Sequence, residues 1–155
     1  MVKKLRNSFG NEKGFTLVEL LAVIVILGII AAIAVPAIGS IIGNTKDEAH
    51  NANAITMIEA SRIAYASGTD TETVDTDKDG YYMKTLIAAG YLEGTPDNPD
   101  GGTYDSANSF VAIGTDGSTY TVTLKGTTGG GTAKTYVPAQ TLSQLQDSNT
   151  SNSGS

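Results

Sequence analysis

From Leu20 to Val35 sixteen consecutive residues carry no polar side chain. Extending back to Phe15 admits only Thr16 and Glu19 as exceptions, and extending forward past Pro36 adds Ala37, Ile38, Ile41 and Ile42. A helix needs roughly 20 apolar residues to cross the hydrocarbon core of a bilayer, and Phe15 to Val35 supplies twenty-one. A cleaved secretory signal has an apolar region of only about 7–15 residues before a small-residue cleavage site. The block is longer than that, so it reads as a membrane-spanning helix.

The block separates two compartments of opposite charge. Residues 1–14 hold Lys3, Lys4, Arg6 and Lys13 against Glu12 alone. The whole chain has 155 residues, 10 Lys+Arg and 16 Asp+Glu, so residues 15–155 keep six basic and fifteen acidic side chains, a net charge of −9. The positive-inside rule puts the basic N-terminus on the cytoplasmic side and the acidic remainder outside. An acidic head repels phosphate backbones, so no direct nucleic-acid binding is expected. The absence of Cys removes any disulfide framework or thiolate chemistry, and a single histidine, His50, removes multi-His metal sites. No nucleophile–base pair, phosphate loop or pair of catalytic carboxylates stands at interpretable spacing, so no enzyme is expected.

Glu19 does not suit a plain anchor. A carboxylate deep in hydrocarbon costs about 2.5–3.5 kcal/mol on insertion scales. Near one end of the span it either snorkels to the headgroups or meets a cation at the boundary, and it reads as functional. The stretch Lys13-Gly14-Phe15-Thr16-Leu17-Val18-Glu19-Leu20-Leu21 closely resembles the processing site of type IV prepilins and their relatives. These include type II secretion pseudopilins and the competence pseudopilins of Gram-positive bacteria. The resemblance covers about residues 13–43: a short basic leader, Gly before Phe, Glu five residues into the mature chain, the apolar run, and Pro36 within it.

The resemblance implies that a membrane-embedded prepilin peptidase cuts between Gly14 and Phe15 and methylates the new amine of Phe15. The trimmed chain then waits in the membrane until an assembly ATPase and a platform membrane protein move it into a helical filament of copies of itself. Its localisation is single-pass in the cytoplasmic membrane before assembly and in a surface pilus or pseudopilus afterwards. Gly14 has no side chain to keep a protease from the backbone. Cleavage removes the four basic side chains of the leader and creates a cation at Phe15. That amine stands four residues from Glu19, about 6 Å along a helix at ~1.5 Å per residue. In the family the Glu meets the amine of a neighbouring subunit. Breaking one partner of such a pair in low dielectric costs about 3–5 kcal/mol, so Glu19 sets axial register during assembly. Pro36 removes the donor that would bond the Ala32 carbonyl and predicts a kinked or curved helix.

Beyond Asn44 the chain turns polar but stays helical in pattern as far as Tyr65, with Ala54, Ile55, Ile58 and Tyr65 on one face. His50 in this segment reads as a solvated surface residue. Ser67 to Gly80 reads as an acidic loop containing Asp75-Thr76-Asp77-Lys78-Asp79-Gly80-Tyr81. The D-x-D-x-D-G pattern opens many calcium loops, with Gly at the sharp turn. Asp75, Asp77 and Asp79 would supply side-chain oxygens and Tyr81 its backbone carbonyl. The twelfth position is Leu86 rather than Glu, so this is not an EF-hand, and the alternative to Ca2+ is a solvated turn. Tyr82 to Ala89 reads as a short helix stopped by Gly90. Phe110–Ile113, Tyr120–Leu124 and Ala133–Val137 read as three strands, with Asp116-Gly117 as a hairpin turn.

The expected fold is α+β and type IV pilin-like: a long N-terminal helix packed on a small antiparallel sheet of about three strands. Its parts are a leader over 1–14, a transmembrane and filament-core helix over 15–43, a globular head over 44–142 and a disordered tail over 143–155. The short head, with Tyr-Met-Lys-Thr-Leu-Ile-Ala-Ala-Gly-Tyr-Leu followed by Pro-Asp-Asn-Pro, resembles those of competence and secretion pseudopilins. The leading function is a structural subunit of a filament for motility, adhesion, DNA uptake or protein secretion. The alternative is a monomeric, single-pass, membrane-anchored calcium-binding surface protein.

Overall fold

The computed structural model describes residues 12–152, with side chains from Thr16 to Ser151. Most of the expected leader, residues 1–11, and the last three residues lie outside the described residues. Helix α1 runs Glu12–Ala66. Strands β1 (Glu72–Val74) and β2 (Lys78–Tyr82), the short helix α2 (Met83–Ala88), strands β3 (Phe110–Ile113), β4 (Tyr120–Thr127) and β5 (Ala133–Thr141), and helix α3 (Leu142–Asn152) follow. The chain divides into two compact units at the Ile42–Gly43 junction.

The N-terminal unit is α1 as far as Ile42. Its sequence is apolar on every face, and sixteen large apolar side chains from Leu17 to Ile42 are each about half or more exposed. Pro36 lies inside α1 with helix assigned on both sides of it. The expected loss of one donor there is accommodated without ending the helix.

In the second unit the remainder of α1 lays one stripe on a sheet. His50, Ala54, Met57, Ser61 and Ala64 are buried, spaced by three and four residues as one helical face requires. Tyr65, expected on that face, stands one residue past the stripe and is 46% exposed. The sheet is an antiparallel meander in the order β1-β2-β3-β4-β5. Strand alternation splits β3: Val111 and Ile113 join Met57, Ile58, Tyr81, Val122, Leu124 and Val137 in the main core, whereas Phe110 and Ala112 join Val74 on the opposite face. The α+β arrangement expected from the sequence is present.

The sheet has five strands rather than three. The two additional strands come from the segment expected to be loop, where β1 pairs β2 through Glu72↔Gly80, Thr73↔Asp79 and Val74↔Lys78. β2 then pairs β3 through Gly80↔Ala112 and Tyr81↔Val111. Gly80 makes this packing possible: a Cβ there would stand 2.1 Å from the Val111 carbonyl oxygen and 2.7 Å from Val74 Cγ2. The turn that reverses the chain is carried instead by Asp75 and Asp77, at φ 52° and 70°, the left-handed region that Asp enters more readily than most residues. Between β3 and β4 the Asp116-Gly117 turn forms as expected. Asp116 accepts bonds from the backbone and side chains of Ser118 and Thr119, which hold its carboxyl well below the usual range.

After α2 the chain closes as Gly90 predicts. Gly90 takes φ 79°, and the amides of Tyr91 and Gly90 donate to the carbonyls of Leu86 and Ile87, the Schellman pattern. At the far end, residues 142–152 form α3 where a disordered tail was expected. Thr141 and Gln144 cap it reciprocally: the Thr141 amide donates to Gln144 Oε1 at 2.9 Å and the Gln144 amide reaches Thr141 Oγ1 at 3.5 Å. This is a capping box. Leu145 is fully buried, and the Asn51 amide group donates to Ser148 Oγ and Asn149 Oδ1.

Candidate processing and assembly segment

Gly14 and Phe15 lie in α1, where the backbone is helical. Glu19 is exposed, one turn beyond Phe15, and among the described residues it has no ion-pair partner. The assembly pair expected from the sequence has its acid accessible on the helix surface.

The surface around Glu19 is the dominant physical fact of this unit. Leu17 is 68% exposed and Ile33 71%, and the helix passes the length and composition needed to cross a membrane. Fully burying one such side chain is worth roughly 1.5–3 kcal/mol. Sixteen of them in water leave tens of kcal/mol unrealised, a cost that lipid or close-packed copies of the helix remove. Those two environments are the chemistry this segment offers.

The residues expected to hold calcium lie in and beside the β1–β2 hairpin. Asp75, Asp77 and Asp79 are all exposed. Asp75 faces Lys78 at 3.7 Å, Asp77 lies in the turn, and Asp79 is held in β2 opposite Thr73. Tyr81 is a core residue: its side chain is fully buried and its hydroxyl donates to the Thr69 carbonyl at 2.6 Å. Among the described residues no three His, Cys, Asp or Glu side chains are grouped so as to hold a metal ion.

His50 departs from expectation in the other direction. It is 3% exposed and stacked on Tyr136 with ring centroids 4.2 Å apart. Nδ1 lies 2.6 Å from the Tyr104 hydroxyl. Its position four residues before Ala54 and seven before Met57, both buried, was the signal: helical periodicity places it on the core face. The capping box Thr141-Leu142-Ser143-Gln144 was likewise legible as a helix start.

Comparisons with known proteins bear on the N-terminal segment first. Residues 10–35 match the family described as the prokaryotic N-terminal methylation motif. A stretch of 59 residues is 48% identical to the type IV narrow pilus major component PilA5 of Thermus thermophilus; it covers 38% of this chain and 47% of that protein. The chain thus spans about half the length of the curated relative it matches. No solved structure matches the chain significantly. The chain thus carries a prepilin-type methylation motif at its N-terminus and is similar over 59 residues to a type IV pilin.

Proposed function

We propose that this chain is a structural subunit of a type IV pilus or pseudopilus. The observation that carries the reading is the exposed apolar surface of α1 from Leu17 to Ile42, most of which lies within the match to the methylation motif over residues 10–35. Such a rod has two stable environments, the bilayer and a bundle of its own copies, and processing is the step between them. Cutting at Gly14–Phe15 removes the basic leader, whose charges hold the N-terminus to the cytoplasmic face. The new Phe15 amine, methylated by the peptidase, becomes the cation that Glu19 of an incoming copy meets. Its partners are prepilin peptidase, an assembly ATPase, a platform membrane protein and other copies of the chain. The head coats the filament, and its role is structural rather than catalytic.

The test is electron microscopy of filaments sheared from cells, with mass analysis of their N-terminus. The expected result is an abundant fibre whose subunit begins at methylated Phe15. A full-length chain that stays singly dispersed in membranes, in cells with a working peptidase and assembly motor, overturns the proposal.

A further inference from the structure

The second unit contains a polar cluster outside the processing and assembly segment. It joins three segments of the head: Lys46, Asp47, His50 and Asn53 from α1, Asp100 and Tyr104 from the loop before β3, and Lys134 and Tyr136 from β5. Asp100 is the hub, accepting from Lys134 Nζ at 2.9 Å and meeting Lys46 Nζ at 3.2 Å. The Asn53 side chain donates to the Asp97 carbonyl and to the Tyr104 hydroxyl oxygen, both at 3.1 Å. His50 Nε2 is buried without a hydrogen-bond partner and points at Asp100 Oδ2 from 3.8 Å.

The arrangement that the Asp100 carboxylate favours has the Tyr104 hydroxyl donating to His50 Nδ1 and the ring proton on Nε2, facing that carboxylate. The opposite tautomer would aim the Nε2 lone pair at that carboxylate. A second proton has no good place. On Nδ1 it collides with the Tyr104 hydroxyl hydrogen, which must turn away and lose its acceptor. It also adds a cation beside Asp100, which Lys46 and Lys134 already pair.

We propose that His50 is an acid-sensitive latch that ties the loop Asp97–Tyr104 to α1 and β5, a tie that weakens when the imidazole is protonated. Burial holds the imidazole below its ordinary value of 6.5; the attraction of Asp100 opposes this, and Lys134 works with burial. The sign follows: the neutral ring is the one the fold prefers, so the latch is fully closed above pH 6.5. It weakens as pH falls from 6.5 towards the folded midpoint, by about tenfold in the opening equilibrium per pH unit in that window. Below the folded midpoint the loss stops.

His50 is the only histidine in the chain, so its imidazole NMR signals in the full-length protein in detergent micelles need no assignment. A titration from pH 7.5 to 5, with amide hydrogen exchange corrected for intrinsic rates, tests the latch. The expected result is a midpoint below 6.5, with protection of the Asn98–Tyr104 amides falling in the same window. A midpoint at or above 6.5, or protection that ignores the titration, overturns the proposal. His50→Gln is expected to make that protection independent of pH, and persistence of the pH response in it also overturns the latch. Should that variant fail to fold, Tyr104→Phe keeps the ring and removes the hydroxyl; its midpoint is expected to rise, and an unchanged midpoint refutes the role given to the Tyr104 bond.

Discussion

Gly80→Ala is the substitution that separates a strand from a metal loop. In the structure Gly80 lies in β2 opposite Ala112 of β3. An added Cβ would fall 2.1 Å from the Val111 carbonyl oxygen, 2.7 Å from Val74 Cγ2 and 3.0 Å from Ala112 Cα. Two of these three atoms are backbone of the neighbouring strand, so no rotamer change relieves the contact; β2 and β3 must part. Overpacking a well-filled site costs typically 1–3 kcal/mol, and a backbone clash belongs at the upper end, about 3 kcal/mol. For a head of this size 1 kcal/mol moves Tm by several degrees, so a loss of roughly 10 °C is expected in thermal melts of the full-length chain in detergent. Gly94→Ala is the control, because nothing lies within 4 Å of its Cβ position; it should stay within about 0.5 kcal/mol of the parent. The loss at Gly80 is independent of calcium. A Gly80→Ala variant that melts with the parent refutes the packing argument, and a loss that appears only with calcium present restores the metal loop.

Three further outcomes are expected. Glu19→Ala leaves cleavage at Gly14–Phe15 intact but removes filaments from the sheared fraction, with trimmed subunits accumulating in the membrane; normal filament yield would remove Glu19 from assembly. Leu145→Ala empties a fully buried site and costs about 2–4 kcal/mol, read as a lower Tm and lost amide protection through α3; a parent-like Tm would mean that α3 is not docked. Calcium at millimolar concentration leaves the melting of the chain unchanged, and a rise of more than about 2 °C, which mass action would give to a bound ligand, would show a cation site that the hairpin geometry does not provide.

What the sequence made legible was chemistry carried by neighbours along the chain. Gly14, Phe15 and Glu19 lie within one and a half helical turns, and the apolar run is a single segment, so the motif match and the membrane-length span were readable without the fold. Gly90 and Asp116-Gly117 were readable for the same reason, since a cap or turn is a local demand on φ. The Asp75–Gly80 stretch shows how little a local pattern decides. Alternating aspartates before a glycine fit both a cation loop and a short hairpin with an edge strand. The discriminating partner, the Val111 carbonyl against which Gly80 has no Cβ, is thirty-one residues away.

The same distance argument explains the two other departures. A segment as polar as Leu142–Asn152 is a marginal helix on its own, because short helices in water lack the packing that stabilises them. It is held by Leu145 in the core and by Asn51, about a hundred residues earlier, bonded to Ser148 and Asn149. His50 was placed at the surface on residue type, although its spacing from Ala54 and Met57 put it on the buried stripe; periodicity outranked composition because a helix buries a face and not a list of residue types. What makes that burial tolerable is again non-local: Tyr104 and Tyr136 come from the loop and β5 and enclose the ring. The N-terminal segment is therefore the part of this protein whose motif is written in contiguous residues, whereas the head's packing is a property of pairs that only the fold creates.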